Sequence, residues 1–86
     1  MAIVVVFEFA ADSIEKYDQV LAAGPDLATQ PARSHHVCFE TNPGFTVVDV
    51  WDSEEAFAKF SEVLGPVLQQ VGLQGQPKIY PLHNTL

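Results

Sequence analysis

Phe45-Thr46-Val47-Val48-Asp49-Val50-Trp51 runs straight into Asp52-Ser53-Glu54-Glu55-Ala56-Phe57 with no glycine or proline between them. The first stretch is β-branched and aromatic, the composition of a strand. The second opens with cap-forming and acidic side chains, the chemistry of a helix N-terminus. The same junction occurs upstream, where Asp12-Ser13-Ile14-Glu15 follows the strand composition of Ile3 to Phe9, with Asp12 placed to cap. Phe57 then answers Tyr17, Phe60 answers Val20, and Gly65-Pro66 stands nearly where Gly24-Pro25 closes the first helix. A further helical turn over Val67 to Val71 is expected after the second break, since proline suits the first position of a helix. Asp26 to Arg33 reads as loop. Ser34 to Glu40 reads as a strand joined to Phe45 to Trp51 through the turn residues Asn42-Pro43-Gly44. The last strand is Gln76 to His83, and its prolines, Pro77 and Pro81, place it at a sheet edge because they cannot donate to a ladder.

Strand-helix-strand, twice, is the split βαβ arrangement. The expected fold is α+β and ferredoxin-like (βαββαβ), one domain over residues 1–86. Its four-stranded antiparallel sheet has order 4-1-3-2, with two helices on one face. The other face should alternate with polar residues if it meets water, and it does not. Ile3, Val5, Phe7 and Phe9 point one way, yet Val4 and Val6 point the other, with Glu8 the polar exception. Val48 and Val50 repeat the pattern opposite Phe45, Val47 and Trp51. With both faces of the central strands apolar, a second copy packed sheet to sheet is expected, and about 800 Å² per partner would be an ordinary interface.

The 86 residues are 48% hydrophobic and only 17% charged, a large apolar share for so small a chain. A net charge of −7 with scattered basic residues argues against nucleic acid or anionic lipid as a partner. Cys38 is the only cysteine, which forbids an intrachain disulfide and leaves no thiolate cluster for a metal. The N-terminal apolar run lacks a basic flank and is too short for a membrane span, so a cytoplasmic protein is expected.

The run Val47-Val48-Asp49-Val50-Trp51-Asp52-Ser53-Glu54-Glu55-Ala56-Phe57 resembles the signature of the dimeric α/β-barrel superfamily. More narrowly, it is similar to small proteins related to the antibiotic biosynthesis monooxygenases. The resemblance implies a homodimer with a hydrophobic pocket between helices and sheet. It also implies a possible cofactor-free oxygenase, in which a base deprotonates a small enolisable or phenolic metabolite and the carbanion reduces O2. Haem-degrading members carry a second Trp and a haem-ligating His where this chain has Phe60 and Gln70, so haem chemistry is not expected. The alternative is a non-catalytic dimer that binds a small ligand or serves as a structural module.

Few residues can carry chemistry. His36 and Asp49 are the candidate bases. Asp49 lies in an otherwise apolar strand, where a carboxylate is costly unless paired or protonated. Its competing reading is an ion pair with Arg33 or Lys78. Adjacent strand residues His35 and His36 face opposite ways and cannot easily chelate one ion, so no metal site is expected. His36, which begins an apolar run, is the preferred one. Tyr17, Trp51 and Phe60 are candidate pocket walls, against a reading of plain core packing. His83, at the end of the last strand, is a candidate for the pocket mouth.

Overall fold

The computed structural model describes residues 1–86, the side chain of Pro25 excepted. The elements are β1 (Ile3–Phe9), α1 (Ile14–Ala23), a 3-10 turn (Pro25–Ala28), β2 (Arg33–Glu40), β3 (Phe45–Trp51), α2 (Glu54–Val71) and β4 (Lys78–Pro81). The sheet order is β2-β3-β1-β4, antiparallel throughout. This is the expected 4-1-3-2 arrangement. The β2–β3 hairpin closes through Gly44, whose φ of +91 favours glycine and whose missing Cβ would lie 2.2 Å from the Phe9 carbonyl oxygen.

Local details differ from the sequence reading. Asp12 does not cap α1. Ser13 holds that position without a side-chain hydrogen bond, while the Asp12 carboxylate accepts from Lys16 Nζ at 3.2 Å. In α2 the cap is Ser53, whose Oγ accepts from the Ala56 N–H at 3.1 Å. Pro66 does not end α2, which runs on to Val71. Phe57, Phe60, Leu64, Val67, Leu68 and Val71 recur every three or four residues and pack on the core across the proline. Partial burial of the last three contributes on the order of 1 kcal/mol each, enough to offset the roughly 3 kcal/mol a helical proline costs. Gly65 helps locally, because a residue without Cβ avoids the clash a proline imposes on its predecessor. The last strand is shorter than expected, with Pro77 just before it and Pro81 as its last residue, neither of which can donate to the ladder. No helix among the described residues is long and apolar enough to cross a membrane.

Both helices pack on one face. Ile3, Val5, Phe7 and Phe9 of β1 and Phe45, Val47 and Trp51 of β3 are buried there. The register puts Val4, Val6, Val48 and Val50 on the opposite face, beside Val37, Phe39 and Tyr80. The four central valines are half-buried, while Val37, Phe39 and Tyr80 are 53%, 46% and 51% exposed. The side without helices is therefore a largely apolar surface, with His35, Thr46 and the exposed Glu8–Lys78 ion pair (3.2 Å) as its polar members.

Candidate functional site

The site begins with an irregularity in β2. Arg33 lies opposite Trp51 and His35 opposite Val50, so Ser34 is the extra residue of a β-bulge. In a regular strand Arg33 and His36 would face opposite sides. The bulge turns both toward the helices, with His36 directly across from Asp49. His36 Nδ1 lies 2.5 Å from Asp49 Oδ1, and His36 Nε2 lies 2.6 Å from the Tyr17 hydroxyl on α1. A carboxylate oxygen accepts, so Nδ1 carries the hydrogen, and Nε2 is left to accept from the Tyr17 O–H. The rings of Tyr17 and His36 are nearly parallel, 12° apart with centroids 5.9 Å from each other. Three residues from three elements thus form one hydrogen-bonded chain.

Arg33 closes the other side. Its Nη1 is 4.0 Å from Asp49 Oδ2, and its Nη2 donates to the Leu27 carbonyl at 2.9 Å. The guanidinium lies over the rings of Trp51 and Phe60, 5.7 and 5.6 Å from their centroids. Asp49 is only 3% exposed, and two partners of opposite character hold it there. The chain Tyr17–His36–Asp49 and Arg33 border a cavity of about 150 Å³ between helices and sheet. Its remaining walls, Phe9, Val20, Leu27, Phe60 and Leu64 among them, are apolar.

Burial pushes the Tyr17 phenol above its usual value of 10.0, the charges of Cys38 and Asp49 add to the rise, and Arg33 opposes it. Tyr17 therefore stays a donor at neutral pH. The folded state favours the neutral phenol, so this contribution to stability is complete below the unfolded value of about 10 and is lost as pH climbs through the raised folded value. Ultraviolet titration of the two tyrosines should show one phenol ionising late, and Tyr17→Phe should remove that late step. A titration in which the variant retains it would contradict this placement.

No protein-family model matches the sequence, and no curated protein matches it. Solved structures do match along the whole chain. Rv0793 from Mycobacterium tuberculosis superposes with a TM-score of 0.75 at 12% identity, over 99% of this chain and 98% of that one. A monooxygenase candidate from Shewanella loihica PV-4 gives 0.68 at 23% identity, over 98% and 96%. SnoaB, a cofactor-independent oxygenase from Streptomyces nogalater, gives 0.62 at 16% identity, over 99% and 94%. The chain shares its fold with these structures and with two others described as antibiotic biosynthesis monooxygenase candidates, from Deinococcus radiodurans and Chloroflexus aurantiacus. At such identities the likeness carries the fold alone, and chemistry has to be argued from the side chains.

Within this fold, His36, Asp49, Tyr17 and Phe60 all line the cavity. Trp51 does not. It lies against Phe60 with ring centroids 4.8 Å apart, and its buried indole N–H has no hydrogen-bond partner among the described residues. His83 is exposed in the segment after β4 and does not border the cavity. His35 faces the side without helices, with Nδ1 3.1 Å from Ser34 Oγ. Of the two partners considered for Asp49, Arg33 takes the place and Lys78 pairs with Glu8. Arg33 as a cavity residue was missed, because nothing in Arg33-Ser34-His35-His36 announces a bulge.

Proposed function

We propose that the protein is a small homodimeric oxygenase that works without a bound cofactor on a small phenolic or enolisable metabolite. The observation carrying this reading is the Tyr17–His36–Asp49 chain at the edge of an apolar cavity. Such a chain is a base with a built-in orienter, the arrangement general-base catalysis requires. A substrate hydroxyl gives its proton to the Tyr17 oxygen as the Tyr17 proton moves to His36 Nε2, and Asp49 stabilises the imidazolium. The phenolate, electron-rich at its para carbon, transfers an electron to O2, and the aryloxyl radical and superoxide combine into a carbon–oxygen bond. The chain returns its proton to the peroxide. Loss of the para hydrogen with cleavage of the O–O bond leaves a carbonyl and releases water. The balance is one phenol and one O2 to one para-quinone and one water.

The similarity of fold to SnoaB supports the same reading. So does the apolar wall of the cavity, which offers no proton donor to a carbanion. Homodimer formation is supported by the apolar sheet face: Val4, Val6, Val37, Phe39, Val48, Val50 and Tyr80 form a surface unlike that of a free monomer. The test of the enzymatic reading is direct. Purified, dialysed protein incubated with guaiacol in air should consume oxygen and form methoxy-para-quinone in equal amounts. No quinone from guaiacol, or from a panel of equally small electron-rich phenols, overturns the reading.

A further inference from the structure

We propose that Arg33 is the specificity-determining residue of this cavity and receives the phenolate oxygen of a single-ring substrate. The inference rests on the reading that the cavity takes a phenol, and it names which phenols and what holds them. Arg33 is unusual in its surroundings. Its side chain is 8% exposed, it borders the cavity, and a guanidinium offers five N–H donors. Among the described residues only the Leu27 carbonyl accepts from it, and Asp49 Oδ2 at 4.0 Å is beyond hydrogen-bond reach. A charged group this buried normally has its donors satisfied. Here the remaining donors border the cavity, and an oxyanion is the acceptor they fit best.

Size and charge narrow the ligand. The apolar space of about 150 Å³ beside Arg33 accommodates a benzene ring. From α2 only apolar side chains reach the cavity, namely Phe60, Leu64 and Leu68. The titratable groups facing Arg33 are therefore Tyr17 from α1, His36 from β2 and Asp49 from β3. Asp49 is bonded to His36 and partly neutralises Arg33, so an incoming phenolate competes with it for the guanidinium. The bulge at Ser34 is what places the cation and the base on the same face. The cavity thus carries both a group that takes the proton and a cation for the oxyanion left behind.

The probe is para-nitrophenol, a single-ring phenol whose phenolate is coloured and whose ring resists oxidation. Titrated with the whole protein in excess, the bound probe should ionise at lower pH than the free probe. Arg33→Met should weaken phenolate binding roughly tenfold to a hundredfold, the loss expected for one charge-assisted hydrogen bond. It should also move the bound probe's ionisation above the free value, since an apolar wall favours the neutral phenol. Asp49→Asn should do the reverse and tighten phenolate binding, because it removes the competing negative charge. That opposite sign is not expected of a purely structural arginine. If Arg33→Met fails to fold, Asp49→Asn decides alone: unchanged or weaker phenolate binding overturns the proposal, as does an Arg33→Met protein that binds phenolate like the parent. Preserved phenolate binding with no guaiacol turnover would remove the oxygenase reading and leave the role of Arg33 standing.

Discussion

His36→Ala is expected to cut guaiacol oxidation by roughly a hundredfold to ten-thousandfold, the contribution of a positioned general base. The imidazole is the middle of the chain, bonded to Tyr17 on one side and Asp49 on the other. Removing it leaves a phenol with no acceptor and a buried carboxylate with no link to the substrate. Tyr17 cannot replace it, because burial raises the phenol's pKa and makes phenolate harder to form. The fold should survive, since the imidazole is the most exposed member of its ion pair, at 28% against 4% for Asp49. Added imidazole should restore part of the rate by occupying the gap. Steady-state rates with a folding check by circular dichroism test this. A well-folded His36→Ala protein oxidising guaiacol at the parent rate would remove the base from the account.

The second large effect concerns the open sheet face. Val48 lies at its centre, opposite Val6 on one side and Val37 on the other. Val48→Lys places a charge with no partner into the proposed sheet-to-sheet contact, where an uncompensated buried charge costs about 3–5 kcal/mol per site. A symmetric dimer meets that cost twice, so association should weaken by several orders of magnitude. Sedimentation at micromolar concentration should give twice 9.4 kDa for the parent and 9.4 kDa for the variant. The variant should remain folded, because Val48 points away from the core that Val47 and Asp49 help to form. A parent protein that sediments as a stable monomer ends the dimer proposal.

These two surfaces show how unevenly the sequence spoke. The sheet order was legible because strand and helix compositions follow each other twice along the chain, and because Pro77 and Pro81 mark an edge strand. The course of α2 was misjudged at Pro66. There a local rule about one missing N–H competed with an apolar stripe from Phe57 to Val71, and the stripe won. In α1 the same kind of local rule suggested Asp12 as a cap, but its carboxylate found Lys16 instead. The components of the site were visible as residue types, and His36 and Asp49 could be singled out. Their union could not, because it depends on cross-strand register, which a single strand does not encode. Arg33 was harder still, since its orientation follows from a bulge built without glycine or any other sign in the sequence.

The central claim is that Tyr17, His36 and Asp49 act as one hydrogen-bonded chain. Proton NMR of the imidazole N–H region in water tests it most directly. The account predicts a far-downfield, slowly exchanging Nδ1–H resonance from His36 that persists in Tyr17→Phe and disappears in Asp49→Asn and His36→Ala. A spectrum without that resonance, or one that keeps it when Asp49 is replaced by asparagine, would contradict the account.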